Sequence, residues 1–426
     1  MHKLEERVLA EIERREETML SFLQALVRQP STLGNEMGAQ QIVYRKLRSL
    51  GLPAELWEPR LDLLRTHPAF APVEWSYEGR PNVTAVYKAR SGGGRSLVLN
   101  GHIDVVSPEP LWGWTHDPWG AEIVGRRLYG RGAGDMKGGI AMAVLALEAI
   151  IAADVGLHGD VFVETVLEEE CCGNGTLACR LCGYSAGADA AIITEPYALS
   201  ANVADMGVMW FRVRVRGSSG HVGRAHEANN AIEKCFPLIL ALRDLEREMN
   251  QQISHPAYTE HEHPVNLNVG TIKGGDWPSS VPAECAFVCR LSFEPGVPYK
   301  DVRQRVKVRI MQAAQKDPWL RQTPPRVEYY GFQADGSVID KDAELLQVLG
   351  SSHRKVAGEE MRCSVSTALT DMRYFNLYTD IPATSYGPVG ANIHNVDEYV
   401  ELDSIVTGAK TLALFMLDWC GYAGQD

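Results

Sequence analysis

In the first half of the chain, apolar residues come in short, almost unbroken runs separated by stretches with helical spacing. SLVLNGHIDVV (residues 96–106), DVFVETVL (160–167) and ADAAIITEP (188–196) read as buried strands. DMKGGIAMAVLALEAIIAA (135–153) reads as a helix with Asp135 near its start. Short apolar strands alternating with helices predict an α/β sheet covered on both faces. The pattern changes near residue 205. GVMWFRVRVRG (207–217) alternates strictly, as a half-buried antiparallel strand does. A helical stretch, NNAIEKCFPLILALRDLEREM, follows it. Then come the strands PVNLNVGTI and AECAFVCRLSF, a helix from about Tyr299 to Lys316, and the short strand RVEYY. Strand–helix–strand–strand–helix–strand is the ferredoxin-like order. It predicts a compact domain at residues 205–331 inserted into a first domain built from residues 1–204 and 332–426.

Composition narrows the function. The 426 residues suit two or three domains. Lys and Arg total 42 against 54 Asp and Glu, a net charge of −12. That balance argues against nucleic acid or an anionic membrane as the main partner. No apolar run approaches the ~20 residues that span a bilayer. The N-terminus, MHKLEERVLAEIERREETML, is charged and helical in pattern and does not read as a signal peptide, so a cytoplasmic protein is expected. Of nine cysteines, four crowd into CCGNGTLACRLC, at 171, 172, 179 and 182. Cys179 and Cys182 have zinc-type CxxC spacing, but no second CxxC exists, and reduced thiols of a cytosolic protein are the favoured reading.

The candidate chemistry lies at the ends of the predicted strands. His102 and Asp104 follow SLVLNG, Glu168, Glu169 and Glu170 follow VFVETVL, and Glu195 follows AAIIT. Asp135 sits in the Gly-rich loop GRGAGDMKGG, and His394 in the late loop YGPVGANIHNVDEY. Ligands of open α/β sheets bind outside the carboxyl ends of the strands. Each of these residues alone has an ordinary explanation: a structural histidine, a solvated glutamate run, an aspartate capping its helix. Jointly they are harder to dismiss, because carboxylates at the end of an apolar strand are costly to bury unless something neutralises them. Mixed histidine and carboxylate ligation suits zinc, cobalt or manganese better than calcium or magnesium. GRGAGDMKGG lacks the G-K-[ST] ending of a phosphate loop. The tryptophans of LWGWTHDPWG are expected to shape the loop between His102 and Asp135.

On the segments GHIDVV, GRGAGDMKGG, the Glu run with GNGT after it, ITEP, GSSGHVGRAHEANNAI and the His394 loop, in that order, the chain resembles a known family. It is the metallopeptidase and deacylase family of acetylornithine deacetylase, succinyl-diaminopimelate desuccinylase, aminoacylase and glutamate carboxypeptidase. The resemblance implies a zinc-exopeptidase-like catalytic domain, a mixed sheet with helices on both faces. It also implies that the ferredoxin-like α+β insert is a lid and dimerisation domain. Two divalent ions are implied, zinc first, with cobalt or manganese as alternatives. Asp135 would bridge them, with His102 and Glu195 completing one site and Glu170 and His394 the other. Asp104 would hydrogen-bond the His102 imidazole and fix its tautomer. Glu169 would be the catalytic base, although this chain has Glu-Glu-Glu where the family usually has Asp-Glu-Glu. His221 would stabilise the oxyanion, often from the neighbouring subunit, and Arg290 would bind a substrate carboxylate. Arg373 is a second anion-binding candidate, and His226 a weaker candidate for any role. Ser280 stands where many relatives have Asn. The implied reaction is hydrolysis of an amide C–N bond in a small, carboxylate-bearing molecule, foremost N-deacylation of an N-acyl amino acid or related amine. A dipeptidase or carboxypeptidase, or attack on an aryl amine or formamide, is the alternative. A non-catalytic binding protein on this fold is the rival from another class, and it predicts a lost ligand or base. A homodimer or higher homo-oligomer is expected.

Overall fold

The computed structural model describes residues 3–423; residues 1, 2 and 424–426, the outer ends of the expected first domain, lie outside the described residues. Leu97–His102 is buried at every position, as an interior strand with both faces covered must be. It runs parallel to Val161–Val166 on one side and to Ala191–Ile193 on the other. These belong to an eight-stranded sheet ordered Ala54–Trp57, Asn82–Tyr87, Val161–Val166, Leu97–His102, Ala191–Ile193, Ala383–Ser385, Ala201–Asp205, Cys363–Ser366. The sheet is mixed: its first two strands pair antiparallel, and Asn82–Tyr87 pairs antiparallel with Val161–Val166.

The helix Gly138–Ala152 is apolar nearly all round, and almost every residue in it is buried. That is the behaviour of a core helix rather than a surface one. It packs on Leu97–His102 and against the helices Lys3–Arg14, Glu16–Val27 and Leu402–Cys420. Its first turn comes so close to the sheet that a Cβ at Gly139 would lie 1.7 Å from the Thr194 carbonyl oxygen. This contact sets the distance between the Asp135 loop and the strand end that carries Glu195.

The inserted segment forms its own four-stranded antiparallel sheet, ordered Leu267–Gly274, Glu284–Phe293, Gly207–Arg216, Arg326–Ala334. With the helices Ala231–Gln251 and Tyr299–Ala314 this is the ferredoxin-like order read from the sequence. The longer helix starts at Asn230, whose Oδ1 accepts the N–H groups of Ile232 and Glu233. Met209, Phe211, Val213 and Val215 point into a core separate from that of the first domain. The alternate residues of the same strand, including Trp210 and Arg212, face the other way. The last strand continues to Ala334, so the expected junction at residues 331 and 332 falls inside it.

A small third sheet, ordered Gly390–Ala391, Tyr399–Glu401, Arg127–Tyr129, Glu122–Val124, holds the His394 loop beside the Asp135 loop. Substituting Gly139→Ala should push the buried helix off the sheet and destabilise the protein by about 1–3 kcal/mol. Gly92→Ala, where a Cβ meets nothing within 4 Å, should stay within about 0.5 kcal/mol of the parent. Urea unfolding of both variants checks the contrast; equal stabilities would show that the Gly139 contact does not constrain the fold.

Candidate metal centre

Each expected ligand reaches the same crevice from a different element. His102 is the last residue of its strand and is buried. Its Nδ1 lies 2.9 Å from the main-chain oxygen of Asp104, which accepts the Nδ1 proton and leaves Nε2 facing the crevice. Nε2 stands 3.0 Å from Asp135 Oδ1 and 3.6 Å from Glu195 Oε1. Asp135 turns its other oxygen, Oδ2, to His394 Nε2 at 3.5 Å, and that same nitrogen is 3.0 Å from Glu170 Oε1. One carboxylate therefore stands between two imidazoles, one oxygen toward each. The five residues thus meet around Asp135. Glu169 joins them: its carboxylate lies within 4.8 Å of the His102 and Glu195 ligand atoms.

The backbone is bent to achieve this. Glu168 and His394 both adopt positive φ, 68° and 62°, a region that non-glycine residues seldom occupy and that clusters at functional sites. The Asp135 loop is held by Glu398, which is fully buried. Glu398 Oε1 accepts the N–H groups of Gly132, Gly134 and Asp135, each at 3.0 Å, while Oε2 pairs with Arg131. Asp104 holds the glutamate loop: its two carboxylate oxygens accept the N–H groups of Glu169 and Glu170, each at 3.2 Å.

The electrostatics call for cations. Burial, and after it the neighbouring carboxylates, push Glu169 and Glu195 well above the ordinary carboxylate range. Burial alone would raise Asp135 too, yet hydrogen bonds and charge from His102 and His394 hold it below its usual range. The Glu170 charge, followed by the Asp135 contact, raises His394 to about 11 against the effect of burial. His102 is also raised, its carboxylate neighbours outweighing its burial. Without metal, protons must supply the missing positive charge. With the Nδ1 proton given to a carbonyl, a neutral His102 would aim a lone pair at two carboxylates, an arrangement that a cation relieves. Glu169 Oε1 is buried with no hydrogen-bond partner among the described residues. The nitrogen and oxygen donors fit zinc-type ions.

The remaining expectations fare differently. Arg290 lines a cavity of about 440 Å³ that opens on the centre, together with Asp135, Glu169, Glu170, Glu195 and His394. Burial lowers its pKa, and Glu169 and Glu170 supply the compensating charge. Arg373 does not line that cavity. Its guanidinium donates to Thr370 O, Cys172 O and the Tyr374 hydroxyl oxygen and pairs with Asp371, so the expectation of substrate binding is corrected to support of the loop after Glu170. Asp104 fixes the His102 tautomer, but through its main-chain oxygen; its carboxylate is 3.7 Å from Nδ1 and serves the glutamate loop instead. His221 is exposed, accepts the Gly223 N–H at Nδ1, and is not among the cavity residues of its own chain. Its strand bridge to Ser280 places those two positions side by side. His226 is exposed as well. All nine cysteines are free, and Cys179 is buried beside Asn82 while Cys182 is exposed, so the CxxC pair builds no metal cluster among the described residues. Of the loop tryptophans, Trp114 donates to Pro108 O and lies by Arg131, and Trp119 lies by Lys137, whereas Trp112 is exposed. Glu398 was not foreseen; its position four residues after His394 was the available signal.

The model of peptidase family M20/M25/M40 matches residues 98–418. The chain is 29% identical, over 438 aligned positions and 97% of both chains, to the N-formyl-4-amino-5-aminomethyl-2-methylpyrimidine deformylase of Halalkalibacterium halodurans. It is 28% identical to the protein of the same name from Bacillus subtilis, over 91% of this chain and 90% of that one. A dipeptidase structure from Saccharomyces cerevisiae shares the fold, with a TM-score of 0.81 at 14% identity, over 98% of this chain and 99% of the other.

Because the carboxylates around them raise His394 and His102 above the ordinary imidazole range, protons compete with metal for the two rings, and affinity should rise with pH. The sign follows from pKa values that are raised: the competing proton is present below the raised value and is lost only above it. Calorimetric titration of zinc into metal-free protein, in buffers of different ionisation enthalpy between pH 6 and 8, should report release of about one to two protons per pair of ions. Affinity that is flat across this range would remove the two imidazoles from the ligand set. Asp135→Ala should lose bound metal, measured by elemental analysis.

Proposed function

The chain belongs to peptidase family M20/M25/M40, and from that premise we propose that it hydrolyses the amide bond of a small N-acylated or N-formylated amine, with Glu169 as the base. The observation that carries this reading is the Asp135 carboxylate set between His102 and His394, with the unpartnered Glu169 carboxyl at the same cavity. His102, Asp135 and Glu195 would hold one divalent ion, and Asp135, Glu170 and His394 the other, zinc being the first choice and cobalt or manganese the alternatives. When bound, such ions act as Lewis acids and bring the pKa of water toward neutrality.

The protein's own residues supply the rest. Glu169 takes a proton from the attacking water at its free carboxylate oxygen and delivers it to the departing nitrogen. Its burial and its acidic neighbours keep its proton affinity high, as a shuttle between water and amine requires. The lid sheet lays Arg290 directly across from Trp210, and Phe332 packs edge-on to Trp210 with ring centroids 5.6 Å apart. All three line the cavity. An aromatic wall beside one cation suits a flat amine, or an amine carrying a carboxylate or carbonyl oxygen for Arg290. The deformylases that this chain resembles favour the formamide of a flat amine; Arg290 favours N-acyl amino acids as the second substrate class.

We further infer a homodimer joined through the lid. Phe236 and Leu240, 53% and 66% exposed, lie on the helix Ala231–Gln251, and Leu267–Gly274 is an edge strand of the lid sheet. An uncovered sheet edge and exposed large apolar side chains are features that a second copy buries. In that arrangement His221 of the partner subunit would donate a hydrogen bond to the developing oxyanion. A cytoplasmic location is inferred from the nine free cysteines; no described helix is long and apolar enough to cross a membrane.

Three substitutions test the reading on a panel of N-formyl aromatic amines and N-acyl amino acids. Glu169→Gln should keep its metal while turnover falls on the order of 10²–10⁴-fold. His221→Ala should keep its metal and lose on the order of 10²-fold or more in kcat. Trp210→Ala should impair the aromatic formamides more than the N-acetyl amino acids. Parental activity in Glu169→Gln would eliminate it as the base, and no turnover of any panel member by metal-loaded protein would favour the binding-protein rival.

A further inference from the structure

Glu168 is the point at which this chain departs from the Asp-Glu-Glu pattern, and its surroundings account for the longer side chain. It is fully buried and points away from the cavity. Its carboxylate accepts from the Trp75 indole N–H, from the Tyr77 hydroxyl at 2.7 Å and from the Cys172 thiol at 3.0 Å, and it pairs with Arg80 at 2.7 Å. Its main-chain oxygen accepts the N–H groups of Cys172 and Gly173. The turn that carries Glu169 and Glu170 is thus closed by Glu168 behind and capped by Asp104 in front. An aspartate is one methylene shorter and would not reach all four carboxylate partners from the same backbone.

Three of those partners, Trp75, Tyr77 and Arg80, belong to one segment, and the same segment grips the lid. Pro72 O accepts the Gly331 N–H at 2.8 Å, and Glu74 pairs with Arg212 at 3.1 Å. Trp210 packs on the patch formed by Ala71, Cys171 and Cys172, with Val73 and Trp75 beside it. Asn174 ties both ends together: its Oδ1 accepts the Ala71 N–H, and its amide donates to Ala71 O and to the Tyr77 hydroxyl oxygen. The lid face that carries Trp210 and Arg290 and the turn that carries Glu169 are therefore fastened to a single strip of chain.

We propose that Glu168 is a positioning residue for the base and that residues 71–80 are a strap through which the seat of the lid sets the position of Glu169. A substrate that draws the lid in through Arg290 and Trp210 would pull on the same strip that aims the carboxylate. The inference rests on the assignment of Glu169 as the base, but its physical core, the coupling of lid and turn, does not require activity to be observed.

The test is amide hydrogen exchange across residues 168–173, in metal-free and zinc-loaded full-length protein, alongside zinc stoichiometry and steady-state kinetics. Glu168→Asp, and the milder Trp75→Phe/Tyr77→Phe pair, should speed exchange there by about tenfold or more. Zinc content should be unchanged, kcat should fall on the order of 10–100-fold, and KM should stay within about threefold. Arg212→Ala, which touches only the lid end of the strap, should speed exchange in the same amides several-fold. Unchanged exchange in Glu168→Asp and in the Phe pair overturns the positioning role. Faster exchange in those variants but not in Arg212→Ala overturns the strap. Loss of zinc in parallel with kcat would assign Glu168 to metal retention instead and overturn the proposal. Should Glu169→Gln prove active, the assignment of the base fails while the exchange results still decide the coupling.

Discussion

The mutual repulsion of buried carboxylates is the constraint around which the rest of the molecule is arranged. Asp135, Glu169, Glu170 and Glu195 converge with the imidazoles of His102 and His394 among them. Like charges in a site of low polarity cannot all ionise unless positive charge is brought in. Among the described residues no lysine or arginine pairs directly with these acids: Arg131 and Arg373 are buried but committed to other partners, and Arg290 acts on Glu169 and Glu170 only from across the cavity. The deficit is left open, and the surrounding structure keeps the acids in place despite it.

That work falls on the main chain. Ligands that repel one another will spread apart unless their backbones are held, and backbone N–H groups do most of the holding. Glu398 gathers three of them under the Asp135 loop, and Asp104 takes two from the glutamate turn. Burial raises both acids, Asp104 to about 7, and the N–H groups they accept pull the other way, so each buried acid is tied to the loop it anchors. Close helix packing at Gly139 completes the frame by fixing how near the Asp135 loop lies to the end of the strand before Glu195.

Much of this was legible in the sequence, for identifiable reasons. Unbroken apolar runs marked the interior strands, and the strict alternation of GVMWFRVRVRG marked the lid, because burial on two faces or on one writes directly into residue order. The five positions that meet around Asp135 were legible because each follows a strand or lies in a glycine-containing loop in recognisable local company. Supporting residues were not, because their partners are remote in the chain. Glu398 binds the N–H of a glycine at position 132, hinted at only by its nearness to His394 in the chain, and Glu168 meets Trp75 and Tyr77 with nothing local to announce them. Asp104 was read as a side-chain partner of His102 because sequence cannot distinguish a main-chain from a side-chain acceptor. Arg373 was read as a ligand-binding cation because charge is visible in a sequence and its internal satisfaction is not.

The two halves of the centre are unequally sheltered. His102 and Glu195 are rooted at the ends of neighbouring interior strands, with side chains 1% and 7% exposed. His394 rides on a loop from the small outer sheet with its side chain half exposed. An ion on the strand side would be enclosed, while one on the loop side would border solvent. On progressive dilution or chelation the loop side would empty first, leaving a half-loaded protein whose output tracks the supply of metal around it.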